Sequence, residues 1–384
     1  MNPETAVVAG QKSWVIRSSE VELSVTQLGA HMAPVNFYRQ TNRPVQPYYI
    51  SPWQEESLQD LPAPVLVPLR GDFFCAPFGG NGEAHQGEQH PPHGEPAGSA
   101  WSCAGADRSG AVTSLTLSLK PKIRPGTLTR RFCLVDGHNA VYTQDILEGF
   151  SGKMPVGHHA ILALPETEGS VRVATSPLKF GMTNPGLFSN PANREYQSLA
   201  IGRKFRNLRR VPLLWKDPAE ADCTSFPART GFTDLLALFI KPSRTPAWTT
   251  ATVQQEGYLW FSLRDPSVLP TTLFWIANRG RHGAPWNGRN RCLGLEDVCA
   301  YFADGLAASV RPNPLSKQGI ATAIRLSPAR PTLINYIQGV VKIPAHFSMV
   351  KSVAFAPGIV SFTSVTGKKV STAVNHTFLQ TGML

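Results

Sequence analysis

The chain reads as a mainly β protein built of stacked antiparallel sheets. Three observations carry that reading: period-2 alternation recurs along most of the length, helical spacing is scarce, and glycine and proline are abundant and spread out. With 32 glycines and 33 prolines in 384 residues, about one residue in six is one or the other, against roughly one in eight on average. That surplus suits many short strands joined by turns and is too large for a helical bundle. A hydrophobic content of 42% supplies a sizeable core and excludes a disordered chain.

The elements follow in order. Val21, Leu23 and Val25 alternate with Glu22 and Ser24 until Leu28-Gly29-Ala30 breaks the strand. The run from Val112 to Leu119 places Leu115, Leu117 and Leu119 on one face. Leu128, Phe132 and Leu134 share one parity with Arg130 as the polar exception, and Val141, Thr143 and Asp145 alternate in the same way. Later runs are Tyr258 to Leu263, Thr271 to Ile276, Ile320 to Leu326 and Ile359 to Val365. The best helical candidate is Glu296 to Ala308, with Val298, Tyr301, Phe302 and Leu306 on one face. No internal repeat argues for a propeller. No composition shift marks a linker, so residues 1–384 read as one domain, with 341–384 as a C-terminal β extension packed on it. Two long irregular regions remain, Gly79 to Ser99 and Phe180 to Ala221.

Several function classes fall away. No run of about 18 apolar residues exists, so no membrane span is expected. The stretch Met1 to Ser13 has no apolar segment of the kind a secretory signal carries, and the six cysteines show no CxxC spacing. A cytoplasmic protein with reduced thiols is therefore expected. The net charge of +11 suits an anionic ligand or surface without being a nucleic-acid signature. The basic cluster Arg194 to Arg210 offers only Tyr196 and Phe205 as interleaved aromatics, so nucleic-acid binding ranks last.

Four places carry groups capable of chemistry. The Gly79 to Ser99 loop holds His85, His90 and His93 with Glu83, Glu88 and Glu95, but their spacing matches no standard zinc pattern. No metal and no cofactor are expected there, only a polar loop with one ligand-facing histidine. His158-His159 precedes an apolar run, Ala160 to Leu164, where a histidine is either a satisfied core residue or a catalyst. Glu296 follows Leu293-Gly294-Leu295, and Arg70 closes the apolar stretch Pro64 to Leu69. Taken singly, none selects a function.

Taken in order they form a pattern. Residues 69–79, LRGDFFCAPFG, resemble the RGG-x-P-x-x-x-P-x-F-G segment of hexose-phosphate mutarotases, and residues 93–101, HGEPAGSAW, resemble their HGFAR-x-x-x-W. Residues 157–162, GHHAIL, are similar to their G-x-H-P-Y-F, Thr233-Asp234-Leu235 to their T-D-x-x-Y, and LGLE at 293–296 to the strand that precedes their catalytic glutamate. Asp72 stands for the second glycine of RGG, Ala97 for the arginine of HGFAR, and Ala160-Ile161-Leu162 for P-Y-F. The chain thus resembles the galactose mutarotase-like (aldose 1-epimerase) superfamily over roughly residues 12–340.

That resemblance implies a β-supersandwich with few short helices and a sugar cleft across one concave sheet. It implies an aldose 1-epimerase interconverting the α and β anomers of a hexose or derivative without a cofactor or metal. Glu296 would take the anomeric proton and His159 would protonate the ring oxygen, both titrating near enough to neutrality to be poised by small shifts. Arg70 and His93 would hydrogen-bond sugar hydroxyls, Asp234 would accept from another, and Trp101 would stack on the ring. Arg279, Arg281, Arg289 and Arg291 precede Glu296 and offer an anionic group a partner. The partner expected is a small-molecule sugar, anionic groups included. The rival expectation is a non-catalytic carbohydrate-binding protein on the same fold.

Overall fold

A computed structural model describes residues 3–384 except Ser57 and Gln59. Two large antiparallel sheets face each other. One has seven strands in the order Lys204–Phe205, Leu178–Thr183, Phe232–Ile240, Thr271–Asn278, Arg291–Cys299, Val156–Ala163 and Phe74–Cys75. The other has nine: Ser225–Phe226, Val171–Thr175, Ala247–Val253, Tyr258–Arg264, Thr332–Lys342, Ala140–Glu148, Thr127–Val135, Val112–Leu119 and Ser102–Ser109. A four-stranded meander, Glu4–Val8 to Met32–Phe37, adds Trp14, Val25, Met32 and Phe37 to the apolar layer between them.

Both large sheets are covered on both faces. Leu236, Leu238, Phe274 and Leu295 of the seven-stranded sheet join Phe132, Trp260 and Tyr336 of the nine-stranded sheet in the central core. The other face of the seven-stranded sheet, with Ile161, Ala237 and Leu273, packs under loops that contribute Phe73, Phe78 and Phe302. The outer face of the nine-stranded sheet, with Leu259, Phe261 and Ile337, is covered by Phe347, Val360, Phe362 and Phe378. Those covering residues belong to or adjoin the C-terminal three-stranded sheet Val350–Ala356, Ile359–Ser364 and Lys369–Ala373.

The helix expected over Glu296 to Ala308 is not there. Arg291–Cys299 is a central strand, and the helix is confined to Leu306–Val310. Because both faces of that strand are buried, polar and apolar residues do not alternate along it, and the short apolar run mimics helical spacing. The strand read over Ile320 to Leu326 shrinks to Ile324–Leu326. Phe378–Thr381 is the other α-helix among the described residues.

Polar residues on the inner faces meet in the central core. Arg130 lies 2.9 Å from Asp72 and 3.4 Å from Asp145, and His158 lies between the same carboxylates at 3.0 and 3.3 Å. Arg264 pairs with Asp297 at 2.7 Å, and Asp297 also accepts from Ser262, Thr272 and Tyr336. The Tyr336 ring stacks on His158 at 4.0 Å, joining the two groups. Three carboxylates thus face two guanidiniums and one imidazole, and their charges balance when His158 is protonated. Buried charges need such pairing, because removing one partner strands the other away from water.

Candidate active site

The site begins with strand register. Val156–Ala163 pairs with Arg291–Cys299 so that His159 lies opposite Glu296 and His158 opposite Asp297. Successive side chains in a strand point to opposite faces. His158 and Asp297 therefore enter the ionic core, while His159 and Glu296 emerge on the other face, with His159 Nε2 3.2 Å from Glu296 Oε1. Gly294, two residues before Glu296, leaves that carboxyl its room: a Cβ there would lie 2.5 Å from Oε1.

The loops complete the surroundings. Phe73 stacks on His159 at 4.6 Å, and His31 stacks behind Phe73 at 4.1 Å. His31 Nδ1 accepts from the Arg70 amide, so its Nε2–H donates to the Ala97 carbonyl at 2.9 Å. His93 stands edge-on to His159 at 4.8 Å, held in a left-handed backbone conformation with φ 63°. The Cys75 thiol, kept protonated by burial, lies 3.5 Å from His93 Nδ1. A cavity of about 300 Å³ opens over these groups, walled by Trp275, Trp286, Phe188 and Leu66.

Burial sets the protonation of the pair. It raises Glu296 well above the ordinary carboxyl value, opposed by Arg281 and reinforced by Asp297. It lowers His159 well below the ordinary imidazole value, with His93 adding to the effect. His93 itself is pushed down to about 4 by burial and by Arg281. Burial therefore favours a neutral carboxyl beside a neutral imidazole.

Of the residues singled out in the sequence, His159, Glu296 and His93 line this cavity. Arg70 does not. Its guanidinium is buried and donates to the carbonyls of Val8, Ala9 and Pro68 and to Gln54, clamping the first hairpin to the segment before Phe73. Asp234 points to the other side of its strand, where it accepts from the Ser198 and Leu199 amides and the Ser198 hydroxyl. Trp101 is a core residue whose indole N–H donates to the Pro96 carbonyl. Each was singled out by motif position, and the alternation of strand faces and local loop bonding takes the side chain elsewhere. The histidine-rich loop is tied down by Glu88, which pairs with both Arg124 and His90. Among the described residues no group of three His, Cys, Asp or Glu side chains is placed to hold a metal ion.

Sequence reasoning missed Phe73, Cys75, Trp275, Trp286 and Phe188. Trp275 was accessible from alternation, since it shares a strand face with Leu273, the residue opposite Glu296. Trp286 and Phe188 sit in irregular segments, where no periodicity indicates facing.

No family model matches the sequence, and no curated protein matches it at the sequence level. The fold does match solved structures. A galactose mutarotase-like protein from Clostridium acetobutylicum is 11% identical with a TM-score of 0.59, covering 88% of this chain and 98% of that one. A candidate mutarotase from Salmonella typhimurium is 12% identical with a TM-score of 0.58, over 88% and 93%. A candidate aldose 1-epimerase from Escherichia coli K12 is 14% identical with a TM-score of 0.56, over 86% and 99%. The chain has the galactose mutarotase-like β-sandwich fold.

Proposed function

We propose that the chain is a sugar mutarotase of the aldose 1-epimerase type, with His159 and Glu296 as its proton-transfer pair. The observation that carries this reading is the cross-strand placement of the two groups, 3.2 Å apart at the floor of an aromatic-walled cavity. Ring opening begins from the ionised form of the pair. Glu296 accepts the proton of the anomeric hydroxyl, the C1–O5 bond breaks as the carbonyl forms, and His159 donates its proton to O5. Rotation about C1–C2 exposes the other carbonyl face. Closure returns the O5 proton to His159 and the Glu296 proton to the anomeric oxygen. The pair holds one proton throughout, and the neutral arrangement that burial favours is the one that meets the open-chain sugar. The His93 imidazole hydrogen-bonds a sugar hydroxyl, and Trp275 and Trp286 offer apolar faces to the ring.

Polarimetry of freshly dissolved aldoses tests this. Glu296→Gln keeps the size and a hydrogen-bonding carbonyl but cannot take the proton, so the catalysed rate should fall by about 10²–10⁴-fold. Full rate in that variant would move the base elsewhere. The inward turn of Arg70 and the burial of Ala97 favour a second reading, a non-catalytic sugar-binding protein. Wild-type binding with no catalysis on any aldose would select it. The six free cysteines support a reducing compartment, and we place the protein in the cytoplasm.

A further inference from the structure

The arginine-rich segment ahead of Glu296 divides in the structure. Arg279 and Arg291 reach Glu166, and Arg289 pairs with Glu56. Arg281 has no carboxylate partner among the described residues. Its guanidinium carbon lies 5.2 Å from the Trp286 ring centre and 5.5 Å from those of Phe188 and Trp275. Its Nε is buried without a hydrogen-bond partner, and so is the indole nitrogen of Trp275. Both residues line the cavity that holds His159 and Glu296.

Aromatic rings around a guanidinium engage its cationic charge but accept none of its in-plane N–H bonds in ordinary geometry. They fix the group while leaving its fork of donors for a ligand. A planar fork with fixed orientation matches a carboxylate or phosphate better than a hydroxyl. Arg281 acts on Glu296 only at a distance, with no ion pair between them, and the Glu296 carboxyl stands beside His159. With His93 and the His159–Glu296 pair neutral, Arg281 carries the one formal charge among the lining residues. The volume, about 300 Å³, is at the small end for ligand pockets and suits one sugar ring with one substituent.

We propose that Arg281 is an anion-binding subsite of this cavity, receiving a carboxylate or phosphate carried by the sugar, with the Trp275 indole N–H as a second donor. The proposal rests on reading the cavity as a sugar site but not on catalysis there. Isothermal titration with D-glucose, D-glucuronate and D-glucose 6-phosphate tests it, on wild type, Arg281→Met and Arg281→Lys. Wild type should bind at least one of the two anions about tenfold or more tighter than glucose, the range of a charged hydrogen bond. Whichever anion gains identifies carboxylate or phosphate as the group taken. In Arg281→Met that ratio should collapse to about one, and Arg281→Lys should keep part of it. Each ratio is taken within one variant, so a loss of folded protein cancels. A wild-type ratio near one for both anions, a ratio undiminished in Arg281→Met, or no binding of any of the three overturns the proposal. Polarimetry separates the two ideas: mutarotation with no anion preference leaves the enzyme without the subsite, and anion preference without mutarotation leaves the subsite without the enzyme.

Discussion

Gly294 shows how little space the Glu296 carboxyl has beside His159. A Cβ at that position would come within 2.5 Å of Glu296 Oε1 and 2.9 Å of the Trp275 Cβ. No real side chain tolerates contacts so short, and the carboxyl is the more movable neighbour. Gly294→Ala should therefore swing Glu296 away from His159. A misplacement of about 1 Å at a reacting group costs about 10²-fold in rate, so turnover should fall far more than thermal stability. Polarimetry beside a melting curve checks this, and a variant that melts early yet turns over normally would contradict it. At this scale His159, Glu296 and His93 were legible because they stand in short ordered motifs. Arg70, Asp234 and Trp101 stand in similar motifs, yet their side chains are bonded away from the cavity: Arg70 and Asp234 by contacts dozens of residues distant, such as Arg70 with Val8 and Ala9, and Trp101 by the nearby Pro96 carbonyl.

Strands bring a different lesson. Val112–Leu119 has in the structure the bounds its alternation indicated, because its outer face is part-exposed and keeps the polar half of the pattern. Arg291–Cys299 lost that signal, since Glu296 and Asp297 are both buried, one on each face. Arg130, the polar exception on its strand face, and Asp145, read as part of a regular alternation, are both members of the ionic core. Burial alone would push His158 down, but Asp72 and Asp145 on either side hold it above its ordinary value of 6.5. Burial alone would likewise raise Asp72, but His158 and Arg130 pull it below 3.8. A raised imidazole binds its proton more tightly folded than unfolded, so its stabilisation is full below 6.5 and drains as pH climbs through the folded value. A depressed carboxyl stabilises fully above 3.8 and loses this as pH falls through its folded value. The core should thus stabilise most between those two values. His158→Gln should cost about 3–5 kcal/mol in that window, as expected for a broken buried pair. The deficit should shrink on the alkaline side, measured as the gap in unfolding free energy across a pH series. A gap independent of pH would remove His158 from the charge balance.

On the scale of the molecule, the C-terminal sheet acts as a cover. Val360, Phe362 and Phe378 lie over Leu259, Phe261 and Ile337, which would otherwise form an exposed apolar face on the nine-stranded sheet. The extension read from residue 341 onward is proposed to be part of the same folding unit. A chain ending at Pro344 should then bind a hydrophobic dye, melt lower and self-associate, while an unchanged melting curve would make the extension a separate unit. The register beneath the cavity has a wider consequence. Sliding Val156–Ala163 by one residue would send His158 into the cavity and His159 into the ionic core, and the same slip in Arg291–Cys299 would exchange Glu296 with Asp297. A change of length in either strand thus moves every side chain across the sheet, where a substitution alters only one. A single inserted residue in either strand would break both pairings together, His159 with Glu296 on one face and His158 with Asp297 on the other, unless a bulge absorbed it before the paired segment.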